Sequence, residues 1–199
     1  RKGDAGMNIV VTGATGFLGC PLCAEFARGG HSVTALSRNA ERARAVLGPG
    51  IQSLAWGSHA GVEWKRAVSA ADVVVHLAGE SVGARRWTPE VKVQLRASRV
   101  ETTRALTEAI READRRPEAL ISASAVGYYG DRGDEMLTEA SGPGRDFLSE
   151  LCVAWEAEAQ RAQEAGVRVA QMRIGVVLGE GGALEKMLMP LPLPISPWK

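Results

Sequence analysis

Three groups of residues in this 199-residue sequence have types and spacing suited to chemistry. The sharpest is Gly13-x-x-Gly16-x-x-Gly19, which follows the β-rich apolar run Asn8-Ile-Val-Val-Thr12 and opens a stretch of helical pattern reaching Gly29. Glycine at 13 permits a tight turn, glycine at 16 removes the Cβ that would meet a pyrophosphate, and glycine at 19 lets a helix approach a sheet. The free N–H groups of such a helix start face phosphate oxygens. Thr15, Phe17 and Leu18, set between and beside these glycines, complete the expected contacts. No Gly-Lys-Ser/Thr ending follows, which disfavours a P-loop triphosphatase. The second group is Ser37-Arg38 at the end of the next apolar run, His31 to Ser37. An acid there would take the ribose hydroxyls of NAD, but none occurs before Glu41. Arg38 is placed to meet a 2′-phosphate and Ser37 to donate a hydrogen bond to it, so NADP(H) is expected over NAD(H). The third group is Arg85-Arg86-Trp87, where arginines could meet an anion or face solvent beside a packed tryptophan.

Other chemistry is weaker. Cys20-x-x-Cys23 has redox spacing, but its place at the first helix start, beside the phosphate turn, favours packing. His31, His59 and His76 lie too far apart for a metal pattern, and no metal site is expected. His76 reads as a buried strand residue with a satisfied ring.

These residues need a scaffold, and the hydrophobic pattern describes one. Strands are expected at 8–12, 31–37, 51–56, 72–77, 119–123 and 167–173, alternating with helices after Gly19 and at 40–47, 63–70, 88–113 and 145–165. The run Val73-Val-Val-His-Leu77 is apolar almost without alternation, as a central parallel strand covered on both faces requires. Thr88 and Pro89 suit the cap and first position of the long helix, and Pro117 and Gly166 close helical patterns. Six strands alternating with helices predict a doubly wound, parallel, Rossmann-like α/β sheet.

Composition agrees. Hydrophobic residues at 45% suffice for a core, and 24 basic against 23 acidic residues give a net charge of +1. That balance points to neither nucleic acid nor a membrane surface as partner. No apolar run reaches the roughly 18 residues of a membrane span. The six residues before Met7 lack the apolar core of a secretory signal, so a cytoplasmic protein is expected, with organellar import left open. Four of the nine prolines, Pro190, Pro192, Pro194 and Pro197, fall in the last ten residues and predict a polyproline-like tail.

Taken together, the motifs resemble the short-chain dehydrogenase/reductase superfamily in its extended branch, and more narrowly the atypical nucleoside-diphosphate-sugar-epimerase-like subgroup. The resemblance rests on Val11 to Gly19, Asp72 to Glu80, Arg86-Trp87, Ser98-Arg99-Val100 with Thr103, and Ser122 to Gly130. Asp146-Phe147, Trp155-Glu156 and Arg173 to Gly179 complete it. It implies a cofactor-binding domain over residues 7–180, with 181–199 the truncated start of a substrate segment ending in the proline-rich tail. It also implies that His76-Leu77-Ala78-Gly79 passes the nicotinamide-side ribose, making Leu77, Ala78 and Gly79 cofactor contacts, and that Gly175 borders the nicotinamide half. Ser124 stands where the family keeps its active-site hydroxyl. The sequence departs from the family at the Tyr-x-x-x-Lys pair, whose positions here hold Leu148 and Cys152. Ordinary acid–base chemistry through that pair is therefore lost. Tyr128 or Tyr129 near Ser124, or Lys92 or Arg96, are the substitutes, with Tyr129 taken as the catalytic candidate beside Ser124. The implied function is an NADP(H)-binding oxidoreductase or epimerase acting on a small or nucleotide-linked substrate. A non-catalytic cofactor-binding or redox-sensing protein is the alternative. Self-association stays open.

Overall fold

The computed structural model describes residues 6–57 and 60–179. His59 and the segment 181–199, including the expected proline-rich tail, lie outside the described residues. Six parallel strands form one sheet in the order β3-β2-β1-β4-β5-β6: β1 (Asn8–Thr12), β2 (Ser32–Ser37), β3 (Gln52–Ala55), β4 (Val73–His76), β5 (Ala119–Ala125) and β6 (Arg168–Ile174). The connecting helices are α1 (Gly19–Arg28), α2 (Ala40–Leu47), α3 (Glu63–Ala70), α4 (Pro89–Glu112) and α5 (Phe147–Gln160). The doubly wound Rossmann-like α/β fold expected from the sequence is the fold observed.

Local chemistry sets the boundaries. Thr88 Oγ1 accepts from the Val91 N–H at 3.3 Å ahead of Pro89, and Asn39 and Asp146 cap α2 and α5 by accepting from Arg42 N and Ser149 N, each at 2.9 Å. The helix expected over 145–165 is shorter: α5 stops at Gln160 and a 3-10 turn carries the chain through Arg161–Ala165 to Gly166, whose φ is +79°. The tighter turn satisfies the last carbonyls before left-handed Gly166, so the helical pattern continues in sequence while its geometry changes.

The two faces of the sheet bury separate cores. On one face Val10, Leu36, Val74 and Leu120 meet Trp64, Val68, Leu106, Ile110 and Ala159. On the other, Ile9, Val11, Val33, Ala35 and Val75 meet Ala14, Cys23 and Ile51. Side chains alternate between these faces along each strand, so every second residue shares a side of the sheet. Along the first face, Val10, Val74 and Leu120 occupy one register level, and Thr12, His76, Ser122 and Gln171 occupy the next. Ser124 and Arg173 pair one level further on. The interior of this face therefore turns polar at the carboxyl ends of the strands.

Candidate functional site

A cleft of about 790 Å³ opens at those carboxyl ends. Gly13, Thr15 and Gly16 form its floor, Ser37 and Arg38 one rim, and Leu77, Ala78 and Gly79 the opposite wall. Eight of the eleven expected cofactor contacts thus line one space. Phe17 and Leu18 continue from the floor into α1, and Phe17 packs beneath Gly179, where an added Cβ would stand 2.9 Å from Phe17 Cζ. Gly175 lies apart from this cleft, with Val126 the nearest side chain to an added Cβ at 3.9 Å.

The glycine turn fits a group that comes close to backbone. Gly13 has φ +67°, and a Cβ on it would stand 2.7 Å from the Leu77 carbonyl. A Cβ on Gly19 would overlap Gly13 and Ala14 backbone, which is why the helix can start so near the sheet. At Gly16 a Cβ would meet, among the described residues, Gly13 O alone within 4 Å, so this residue opens onto the cleft. No side chain caps α1, whose first turn is instead tied to the loop by Cys20 N–H donating to Gly16 O at 3.0 Å and Leu22 N–H to Leu18 O at 3.2 Å, with Pro21 carrying no N–H.

The second wall rests on a buried polar chain. His76 Nδ1 lies 2.7 Å from Thr12 Oγ1 and its Nε2 2.8 Å from Thr103 Oγ1. The Thr103 hydroxyl spends its one proton on Arg99 O at 2.6 Å, so Nε2–H must donate to Thr103. Nδ1 then accepts from Thr12, whose oxygen accepts from Ala78 N–H at 3.2 Å. Every proton in the chain is assigned, and the imidazole is neutral. Complete burial pushes its pKa from 6.5 down to about 4. The ring ties the segment after β4 to Thr12, just ahead of the glycine turn. It is not a base.

Ser124 and Tyr129 belong to a different cluster. Ser124 is 3% exposed and its hydroxyl donates to Glu156 Oε1 at 2.5 Å. Glu156 is held in a two-point ion pair by Arg173, with Nε to Oε1 and Nη2 to Oε2 both 2.9 Å. Arg173 Nη1 donates to the Tyr129 hydroxyl at 3.0 Å, and its guanidinium stacks 3.5 Å from the Tyr128 ring centre. The paired carboxylate holds the Arg173 guanidinium charged even more firmly than usual. One network therefore unites both catalytic candidates, but Ser124 and Tyr129 are buried behind the cleft rather than lining it. Glu156 was visible in the sequence only as part of a motif, and nothing local announced its contact with a serine 32 residues away.

The remaining candidates have intramolecular roles. Leu148 packs against Gly127, and Cys152 is buried, with desolvation raising its thiol pKa. Cys23 is fully buried, and its thiol is pushed up to about 11 by the same cause, which removes it as a nucleophile. Lys92 sits over the Phe147 ring at 5.0 Å, and Arg96 is exposed. Trp87 donates to Val82 O and meets Phe147 edge-on, while Arg85 reaches Glu80 and Gln94. The cleft also uses Trp56, Glu80, Ser98, Glu101 and Thr102, which periodicity marked only as strand, loop or helix positions. Among the described residues no three His, Cys, Asp or Glu side chains converge as a metal site.

With a glycine turn, an arginine at the second strand's end and a segment after the fourth strand all on one cleft, comparison with known proteins gives the chain its family. The model of the NAD dependent epimerase/dehydratase family matches residues 9–191. The chain belongs to this family. Among its epimerase-family relatives, the chloroplastic SDR39U1 homolog of Arabidopsis thaliana is 40% identical over 192 residues, covering 93% of this chain and 53% of the relative. YfhF of Bacillus subtilis is 40% identical over 185 residues, covering 92% and 59%. The chain spans between half and two thirds of these curated relatives' lengths. The solved nucleoside-diphosphate sugar epimerase of Corynebacterium glutamicum superposes with a TM-score of 0.76 at 39% identity, over 92% of this chain and 37% of that one. Human epimerase family protein SDR39U1, solved with NADPH, gives 0.75 at 33%, over 92% and 59%. No helix among the described residues of this epimerase-family chain is long and apolar enough to cross a membrane.

Proposed function

We propose that the chain binds NADP(H) in the cleft and is the cofactor-binding unit of an oxidoreductase or epimerase-like enzyme for a small or nucleotide-linked substrate. The observation that carries this reading is Arg38. Its side chain is 88% exposed on the rim of the glycine-turn cleft, at the end of a strand that ends without an acid. The solved human relative, bound to NADPH, supports it.

In this reading Gly13, Thr15, Gly16, Phe17 and Leu18 form the turn that holds the pyrophosphate, with the Gly16 N–H closing the turn on Gly13 O and its missing Cβ letting the phosphates approach. Ser37 and Arg38 hold the 2′-phosphate, Leu77, Ala78 and Gly79 wall the nicotinamide-side ribose, and Gly175 borders the nicotinamide half. The bound dinucleotide supplies or accepts hydride. Proton movement falls to Ser124 Oγ, whose proton Glu156 already accepts, with Tyr129 at the other end of the Arg173 network. Residues from 181 on are assigned in this reading to the substrate segment, which the family match extending to residue 191 supports for its first part.

Fluorescence titration with NADPH and NADH tests the assignment. Arg38→Ala is expected to weaken NADPH about tenfold or more, the scale of one charged hydrogen-bond set, and to leave NADH unchanged. Equal effects on both would remove the 2′-phosphate role. Ser124→Ala should retain NADPH affinity while NADPH oxidation across a carbonyl panel falls about a hundredfold. Undiminished turnover would place the proton elsewhere.

A further inference from the structure

Glu80 is the first residue beyond the wall Leu77-Ala78-Gly79, and α4 grips its backbone from both sides. Its N–H donates to Ser98 Oγ at 3.2 Å, and its carbonyl accepts from Arg99 Nη2 at 2.8 Å. The carboxylate is thereby delivered to a set place in the cleft. One oxygen lies 3.7 Å from Arg38 Nη1 and the other 3.2 Å from Arg85 Nη2. Arg38 follows β2 and Glu80 follows β4, with β1 between them in the sheet, so the Arg38–Glu80 pair spans the carboxyl end of β1 where the glycine turn lies. Sequence shows neither the span nor the pairing, because positions 38 and 80 belong to separate crossovers.

We infer that Glu80 is a specificity-determining residue that acts as a resident anion for Arg38, competing with the 2′-phosphate of the cofactor. The inference rests on the proposed contact between Arg38 and that phosphate. A 2′-phosphate brings more negative charge than one carboxylate and more acceptor oxygens, so it displaces Glu80, which keeps Arg85 as its partner. The ribose hydroxyls of NADH bring no charge and make no such exchange. Glu80 therefore lowers NADPH affinity without touching NADH affinity, and narrows the preference between the two cofactors. Because the Arg38 side chain is largely solvated, the competition has the size of an exposed ion pair.

Glu80→Gln keeps the side-chain shape and both backbone contacts, so fluorescence titration of Glu80→Gln, Arg38→Ala and the double variant with NADPH and NADH is decisive. Glu80→Gln is expected to tighten NADPH about three- to fivefold, the upper reach of an exposed pair, and to leave NADH within error. The gain should vanish in the Arg38→Ala background. An equal gain for both cofactors, which would report a general charge effect in the cleft, overturns the inference, as does no gain or one that survives in the double variant. If Arg38→Ala by itself leaves NADPH unaffected, the Arg38 assignment fails instead. If it weakens NADPH but Glu80→Gln changes nothing, only the role of Glu80 falls.

Discussion

His76 shows how much one side chain can fix. With Nε2–H given to Thr103 and Nδ1 taking the Thr12 proton, a second ring proton would oppose the Thr12 hydroxyl in a site without water access. The native state therefore binds that proton only near pH 4, whereas the unfolded chain binds it near 6.5. The folded pKa is depressed, so the contribution is flat above about 6.5. As pH falls from there toward 4 the unfolded state alone gains the proton, and stability is lost. Urea unfolding at pH 7 and pH 5 should show a loss of about 2 kcal/mol from this group. His76→Gln, which keeps an uncharged donor and acceptor, should show that much less pH dependence, and an unchanged slope would mean the ring titrates normally. Arg38 is the contrasting residue: solvated and held, among the described residues, by a long ion pair to Glu80, it is available to a ligand.

At the scale of elements, the strand–turn–helix unit β1–α1 was legible because each glycine answers a local steric demand. Gly13→Ala puts a methyl against the Leu77 carbonyl at positive φ, so both the turn and the β4 wall must shift. The expected cost is about 2 kcal/mol or more in thermal or urea unfolding, together with loss of NADPH binding in the same fluorescence titration. Full retention of affinity would mean that the turn is not the phosphate site. The helix cap Thr88 was equally readable, since a cap acts on N–H groups within three residues of itself; Asp146 caps α5 in the same way, just inside the start expected at 145. The end of α5 was not. The apolar pattern runs on to Gly166, while the carbonyls of the last turn tighten into 3-10 geometry. Hydrophobic spacing does not distinguish the two over so short a stretch.

At the scale of the molecule, β6 pairs with β5 on one side and is tied to α5 through Glu156, which holds Arg173 by its carboxylate and Gln171 by its carbonyl. This three-element junction joins the last strand to the sheet and orders the turn carrying Tyr128 and Tyr129. Removing one charge leaves the other poorly solvated, so Arg173→Met should destabilise the fold by about 3 kcal/mol in urea unfolding. A change below about 0.5 kcal/mol would reduce the pair to a surface contact. The same arrangement locates both catalytic candidates. Ser124 and Tyr129 stand close in sequence, but they meet through a glutamate and an arginine from two other elements, so the network that links them could not be read along any single segment.

The sequence by itself determined the alternation of strands and helices, the glycine turn, the absence of an acid at the end of β2 and the loss of the usual tyrosine and lysine. Each is a matter of periodicity or of residue type within a few positions, where backbone sterics and short-range hydrogen bonds act. Only the tertiary structure decided that His76 is neutral and clamped, that the Ser124 hydroxyl donates a hydrogen bond to Glu156, and that Glu80 reaches Arg38 across the glycine turn. Those facts depend on which strands become neighbours and on which face each side chain points to. Burial and charge act through space, and sheet order, not chain distance, sets who meets whom.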